Sequence, residues 1–115
     1  MEKQETEKKI AQLQVLEQNL QNFLLQKQAF QTQLVEIDNA LEEVGKNNGA
    51  VYRIIGSVMV VSDKEDVKKD LESKREVLSI KIKNVEKQEE KIKDKASKLQ
   101  ADVLDVIKGG DEGDK

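Results

Sequence analysis

At 115 residues, with 37% charged, 37% hydrophobic and only 3% aromatic side chains, the chain is one domain by length but lacks the large apolar groups that a compact core needs. Its 20 basic and 23 acidic side chains leave a net charge of -3, which argues against a broad electrostatic footprint for nucleic acid. Cysteine and histidine are both absent, excluding disulfides, thiolate nucleophiles and the commonest transition-metal ligand.

An extended, helix-rich chain fits this composition. Proline is missing altogether, and the glycines fall at 45, 49, 56, 109, 110 and 113, so the breaks lie at mid-chain and at the end. The start, MEKQETEKK, has no apolar core of the signal-peptide kind, and no run approaches the ~20 apolar residues of a membrane span. The expectation is a soluble, cytoplasmic protein with neither membrane nor nucleic acid among its partners.

The first arm, residues 1–45, carries apolar residues at Leu13, Leu16, Leu20, Phe23, Phe30, Leu34, Ile37, Leu41 and Val44. With Lys27 counted in, the steps alternate three and four, which is a heptad seam. Glutamines on the outside favour helix while staying solvated. Gly45, after the last seam residue, is expected to form a left-handed C-terminal cap.

Residues 50–62, AVYRIIGSVMVVS, break the pattern. They are mostly β-branched or aromatic and read as a β-hairpin, with a two-residue turn at Gly56-Ser57 that needs a positive φ at the glycine. Ile55 then faces Val58, Ile54 faces Met59 and Tyr52 faces Val61. One side of the ribbon carries Tyr52, Ile54, Met59 and Val61; the other carries Val51, Ile55, Val58 and Val60, with Arg53 and Ser62 as its polar members. A two-stranded ribbon without a solvent face is marginal alone. It is expected to find its partners in other chains.

The second arm, residues 63–108, opens at Ser62-Asp63-Lys64-Glu65, read as a capping box between Ser62 and Glu65. Its seam runs Val67, Leu71, Lys74, Leu78, Ile82, Val85, Glu89, Ile92, Ala96, Leu99, Val103 and Val106. Two successive steps of four around Leu78 amount to a stutter. Glu65 with Lys69, Asp70 with Lys74, Glu89 with Lys93 and Asp94 with Lys98 are spaced for pairs along a solvated face. Residues 109–115, GGDEGDK, are expected to be a disordered acidic tail.

If the chain folds back at the hairpin, the two seams meet in antiparallel register, with paired residue numbers adding to about 112. Leu34 falls opposite Leu78, Phe30 opposite Ile82 and Leu13 opposite Leu99. The expected fold is mainly α, a long antiparallel two-helix coiled coil with a central β-hairpin, each arm reaching ~60 to 65 Å. Lys27 and Glu89 interrupt the seam about one turn apart and form the candidate coiled-coil polar pair, either snorkelling or fixing register. Near the chain ends, Val103, Leu104, Val106 and Ile107 would face Lys9, Thr6 and Glu5, which do not cover them. Ile10 and Leu13 extend this candidate client-binding patch.

The helix-hairpin-helix plan, and above all Val51-Tyr52-Arg53-Ile54-Ile55-Gly56-Ser57-Val58-Met59-Val60-Val61, resembles the β-type subunits of prefoldin, the hexameric holdase chaperone of archaea and eukaryotes. Ser57 stands where that family usually has proline. The resemblance implies that hairpins of six subunits, two α-type and four β-type, join in intersubunit β-barrels, leaving coiled coils to hold unfolded proteins without ATP and pass them to a group II chaperonin. It implies an assembly role for Val51, Tyr52, Ile54, Ile55, Gly56, Val58, Met59 and Val60. It implies client contact for Ile10, Leu13, Val103, Leu104, Val106 and Ile107, with the second arm carrying more because MEKQETEKK is more polar than the family's usual start.

The sequence has no Gly-rich phosphate loop and implies no cofactor or metal. Its carboxylates lie on open helical surfaces without the burial that tunes a catalytic group, so an enzyme is not expected. The rival reading is a structural coiled-coil scaffold without client binding; a helical RNA-binding arm is disfavoured by the even mixture of charge.

Overall fold

The computed structural model describes the backbone of residues 3–113 and the side-chain surroundings of residues 3–108. Helix α1 spans Lys3–Lys46, strands β1 and β2 span Val51–Ile55 and Val58–Ser62, and helix α2 spans Lys64–Gly113. Residues up to Lys27 with those from Asn84 onward form one compact unit, and Gln28–Lys83 form the other.

The heptad pattern determines which helical side chains leave solvent. Every seam position expected on α1, from Leu13 to Val44 and including Lys27, is half-buried, while the glutamines between them are exposed. On α2 the seam residues are buried or half-buried except Lys74, which is exposed. Lys74 lies where the spacing slips, so the stutter turns it out of the stripe instead of admitting a charge to it. In the unit containing the hairpin the buried apolar residues are Val51, Leu78 and Ile82; in the other they are Val85 and Val103. A single helical neighbour covers only part of each side chain, and for that reason most of the seam remains half-buried.

Both helix ends at the hairpin are finished differently from expectation. Gly45 lies within α1, and Gly56 is the one positive-φ residue among those described, so no left-handed glycine closes the helix. Asn47 closes it instead. Its amide donates to the Glu43 carbonyl at 3.0 Å, its Oδ1 accepts from Gly49 N at 2.9 Å, and its Nδ2 donates to the Ala50 carbonyl at 3.2 Å. Lys64 Nζ donates to the Asn47 carbonyl at 2.8 Å, tying this turn to the start of α2. Asparagine's short amide satisfies nearby backbone groups in this way without a left-handed residue.

At the start of α2, Ser62 is the last residue of β2, paired with Val51, and the N-cap is Asp63. Asp63 Oδ1 accepts from Glu65 N at 3.0 Å, and its carbonyl takes the first helical bond from Val67 N at 3.0 Å. The expected capping box is thus shifted by one residue, because strand pairing extends through Ser62. Glu65 and Asp66 in the first turn complement the helix dipole. Replacing Asp63 with alanine is expected to cost ~1 kcal/mol, read as a lower denaturant midpoint with an unchanged slope.

Helix α2 continues past Lys108, where the sequence pattern placed its end and the start of an unstructured tail, as far as Gly113. Glycine lowers helix propensity but keeps its N–H, so a proline-free segment can carry the hydrogen-bond ladder onward. The remainder of the proposed tail, residues 114 and 115, lies outside the described residues.

Candidate functional site

The hairpin forms from a strongly β-favouring run held by a two-residue turn. Its antiparallel register pairs Val51 with Ser62, Tyr52 with Val61, Arg53 with Val60, Ile54 with Met59 and Ile55 with Val58. Gly56 has φ 63°, while Ser57 stays out of the left-handed region, the φ pattern of a type II′ turn. The serine costs the turn nothing that its φ would reveal.

Burial divides the ribbon unevenly. Val51 is buried in the single chain, Arg53 and Ser62 are half-buried, and Tyr52, Ile54, Ile55, Val58, Met59, Val60 and Val61 are all exposed, Ile54 to 72%. These seven include residues from both faces. Arg53, the polar member of β1, forms an ion pair through Nη2 with Asp70 Oδ2 on α2. That contact holds the ribbon to the helix through its polar residue and leaves the seven apolar side chains other than Val51 uncovered. Large apolar side chains are thus exposed on both faces of the ribbon.

The two polar seam residues that stay covered, Lys27 and Glu89, meet in the other unit. Lys27 Nζ donates to Glu89 Oε1 at 2.8 Å, with Glu89 only 6% exposed. The hydrogen bond to Glu89 raises the Lys27 pKa above its ordinary value; desolvation opposes the shift, and the charges of Glu89 and Glu86 reinforce it. No described buried side-chain polar atom lacks a partner.

Further cross-helix pairs were hidden in what the sequence presents as a solvated face. Arg75 Nε donates to Asp38 Oδ1 at 2.9 Å, and Lys9 Nζ lies 3.7 Å from Asp102 Oδ2. Both obey the numbering rule that aligns the seams, the signal that could have found them. Of the four expected pairs along α2, none comes within ion-pairing distance among the described residues, and Asp70 and Glu89 are committed elsewhere. For Asp70 and Glu89, a partner on another element of the same chain displaces the flexible neighbour four residues away, whose attraction is only ~0.3 kcal/mol.

Near the start of α1 and the end of α2, the candidate client-binding residues separate into covered and uncovered. Leu104 is 55% and Ile107 49% exposed, and Ile10 is exposed beside them in the heptad pattern. Leu13 and Val106 are half-buried. Val103 is 8% exposed, so it belongs to the core and not to an open patch. Thr6 and Lys9, read from the sequence as too polar to cover this turn, are themselves half-buried, and Lys9 is drawn in by Asp102. Their aliphatic parts can screen apolar neighbours while the polar ends reach out.

Among the described residues, no group of three or more His, Cys, Asp or Glu could hold a metal ion, and no helix is long and apolar enough to cross a membrane. Two long helices joined by a two-stranded antiparallel hairpin define a coiled-coil protein of the helix-hairpin-helix class. Residues 7–109 match the model of the prefoldin subunit family. The chain belongs to that family, one of non-enzymatic chaperone subunits that work within multi-subunit complexes.

The chain is 35% identical over 100 residues to prefoldin subunit beta of Archaeoglobus fulgidus, covering 85% of this chain and 86% of that one. It is 31% identical over 105 residues to prefoldin subunit beta of Saccharolobus islandicus, covering 90% and 83%. The crystal structure of the prefoldin beta subunit from Thermococcus strain KS-1 superposes with a TM-score of 0.84 at 29% identity, covering 89% of this chain and 91% of that one.

Proposed function

We propose that the chain is a β-type subunit of an ATP-independent holdase, which assembles with α-type subunits, captures unfolded proteins at the helix ends and hands them to a group II chaperonin. The hairpin residues Val51, Tyr52, Ile54, Ile55, Gly56, Val58, Met59 and Val60 serve assembly, and burial of Val51 within the chain makes it the support for the others. Ile10, Leu104 and Ile107 form the capture surface, with Leu13, Val103 and Val106 as the seam beneath. The observation carrying this reading is the exposure of Leu104 and Ile107 about one helical turn apart on α2, with Ile10 exposed on α1 in the same unit. Exposed apolar side chains with no complementary partner in their own chain suit clients whose shape varies, since hydrophobic attraction is non-directional.

The test is protection of a denatured, unrelated protein from aggregation without nucleotide, by the assembly formed with an α-type partner. Leu104→Ser with Ile107→Ser is expected to leave the assembly's mass unchanged and to cut protection severalfold. Equal protection by the double variant would remove the assigned capture surface. A wild-type assembly that protects nothing would leave the chain a structural scaffold.

A further inference from the structure

A second apolar surface lies in the same unit as the capture surface but on another side of the helices. An open groove of about 540 Å³ is floored by Ala11, Val15, Leu16 and Leu99 and rimmed by Gln12, Lys95 and Lys98. Val15, which stands outside the seam, is 57% exposed. Helix geometry separates this groove from the patch at Ile10, Leu104 and Ile107. At 100° per residue, Ile10 and Val15 point ~140° apart on α1, and Lys95 and Leu104 point ~180° apart on α2.

The rim is electrically one-sided. Neither Lys95 nor Lys98 has a carboxylate within ion-pairing distance among the described residues, although Asp94 is only four positions from Lys98. Lys8 and Lys91 lie seven residues before Val15 and Lys98, and so on the same strips of their helices. On the α1 side the lining residue is the neutral Gln12, with Glu5 seven residues before it on the same strip, and Asp102, the next acid along the α2 strip, faces Lys9. In a chain of net charge -3, an apolar floor whose only charged lining groups are two unpaired ammonium groups on α2 is a local reversal of sign.

We propose that this groove is a second capture surface, which takes client segments carrying a large aliphatic or aromatic side chain with aspartate or glutamate within about one helical turn. The apolar side chain sits against Val15 and Leu99, and the carboxylates meet Lys95 and Lys98. The inference rests on the client-holding function proposed above and adds the class of segment held. An exposed ammonium–carboxylate contact changes affinity by about 1.5- to 5-fold and weakens with salt, so the charge preference is modest for each lysine and cumulative over the pair.

The test uses the assembly with its α-type partner and three fluorescent peptides that share one apolar core, flanked by acidic, neutral or basic residues. Anisotropy at low salt is expected to rank affinity acidic, then neutral, then basic, with the spread collapsing at high salt. Lys95→Glu with Lys98→Glu is expected to weaken the acidic peptide about tenfold and invert the ranking. Val15→Ser should weaken all three, and Leu104→Ser with Ile107→Ser should leave the ranking intact. A ranking indifferent to the lysine reversal, or acidic-peptide binding indifferent to Val15→Ser, overturns the groove assignment. An assembly that binds no peptide yet still protects denatured protein also overturns it alone, whereas loss of both removes the holdase reading with it. A concentration-dependent gain in mass abolished by Val15→Ser would instead make the groove a contact between copies and overturn the proposal.

Discussion

Ile54→Asp is expected to dissolve the assembly into lower-order species while leaving the helices intact. In the single chain Ile54 is the most exposed large apolar residue of the hairpin, so a carboxylate there stays in water and costs the monomer little. Within an assembly built on ribbon faces the same carboxylate is buried without a partner, at a cost of several kcal/mol for each copy. Sedimentation velocity should show the loss of mass, and far-UV circular dichroism an unchanged helical signal. Val51→Asp supplies the contrast. Val51 is buried within its own chain, so that variant is expected to lower the unfolding midpoint of the subunit itself. Undisturbed assembly by the Ile54 variant would strip the ribbon of its assigned role.

Periodic features of this fold were legible because each rests on many residues. The α1 seam is specified ten times over, and the strand register follows from a single glycine with five pairs to support it. Local choices between chemically similar neighbours were not legible. Ser62 and Asp63 are both good caps, and the decision fell to Asp63 because Ser62 was claimed by pairing with Val51. Gly45 and Asn47 both end helices, and a network of three bonds to Asn47 Oδ1, Nδ2 and carbonyl oxygen outweighed the glycine's freedom.

The candidate site divides along the same line. That Leu104 and Ile107 lie outside the stripe follows from their angle on the helix. That Val103 is covered by a face bearing threonine and lysine does not follow from residue type. It depends on where a long side chain lies, and an ion pair such as that of Lys9 with Asp102 settles this only in three dimensions. The same limit hid the pair of Arg53 with Asp70, since no heptad rule relates a strand residue to a helix residue.

The Lys27–Glu89 pair carries the second large effect, and its two halves are not equivalent. Lys27→Met is expected to be the more damaging single change, because it strands a carboxylate that is almost wholly buried. Glu89→Leu leaves a half-buried ammonium on a flexible stem, which can turn outward to water. Changing both to leucine is expected to restore or exceed the original unfolding midpoint, since desolvating two charges offsets much of their attraction. The alkaline limb separates the variants further. The Lys27 pKa is raised in the folded state by its hydrogen bond to Glu89, so its contribution to stability is full below the ordinary lysine range and is lost as pH rises through the folded value, above about pH 10.4. Wild type should therefore lose stability there more steeply than the double-leucine form. Register is read independently. The chain has no cysteine, so Leu13→Cys with Leu99→Cys reports the native alignment and Leu13→Cys with Ile92→Cys reports a slip of one heptad. Wild type should crosslink only in the first pairing and the double-leucine background in both, because leucine at both positions removes the buried polar match within the seam that a slip would break, while the pairs of Arg75 with Asp38 and Lys9 with Asp102 are more exposed and hold register less. Crosslinking confined to the native pairing in both backgrounds would reduce the ion pair to a tolerated charge with no hold on register.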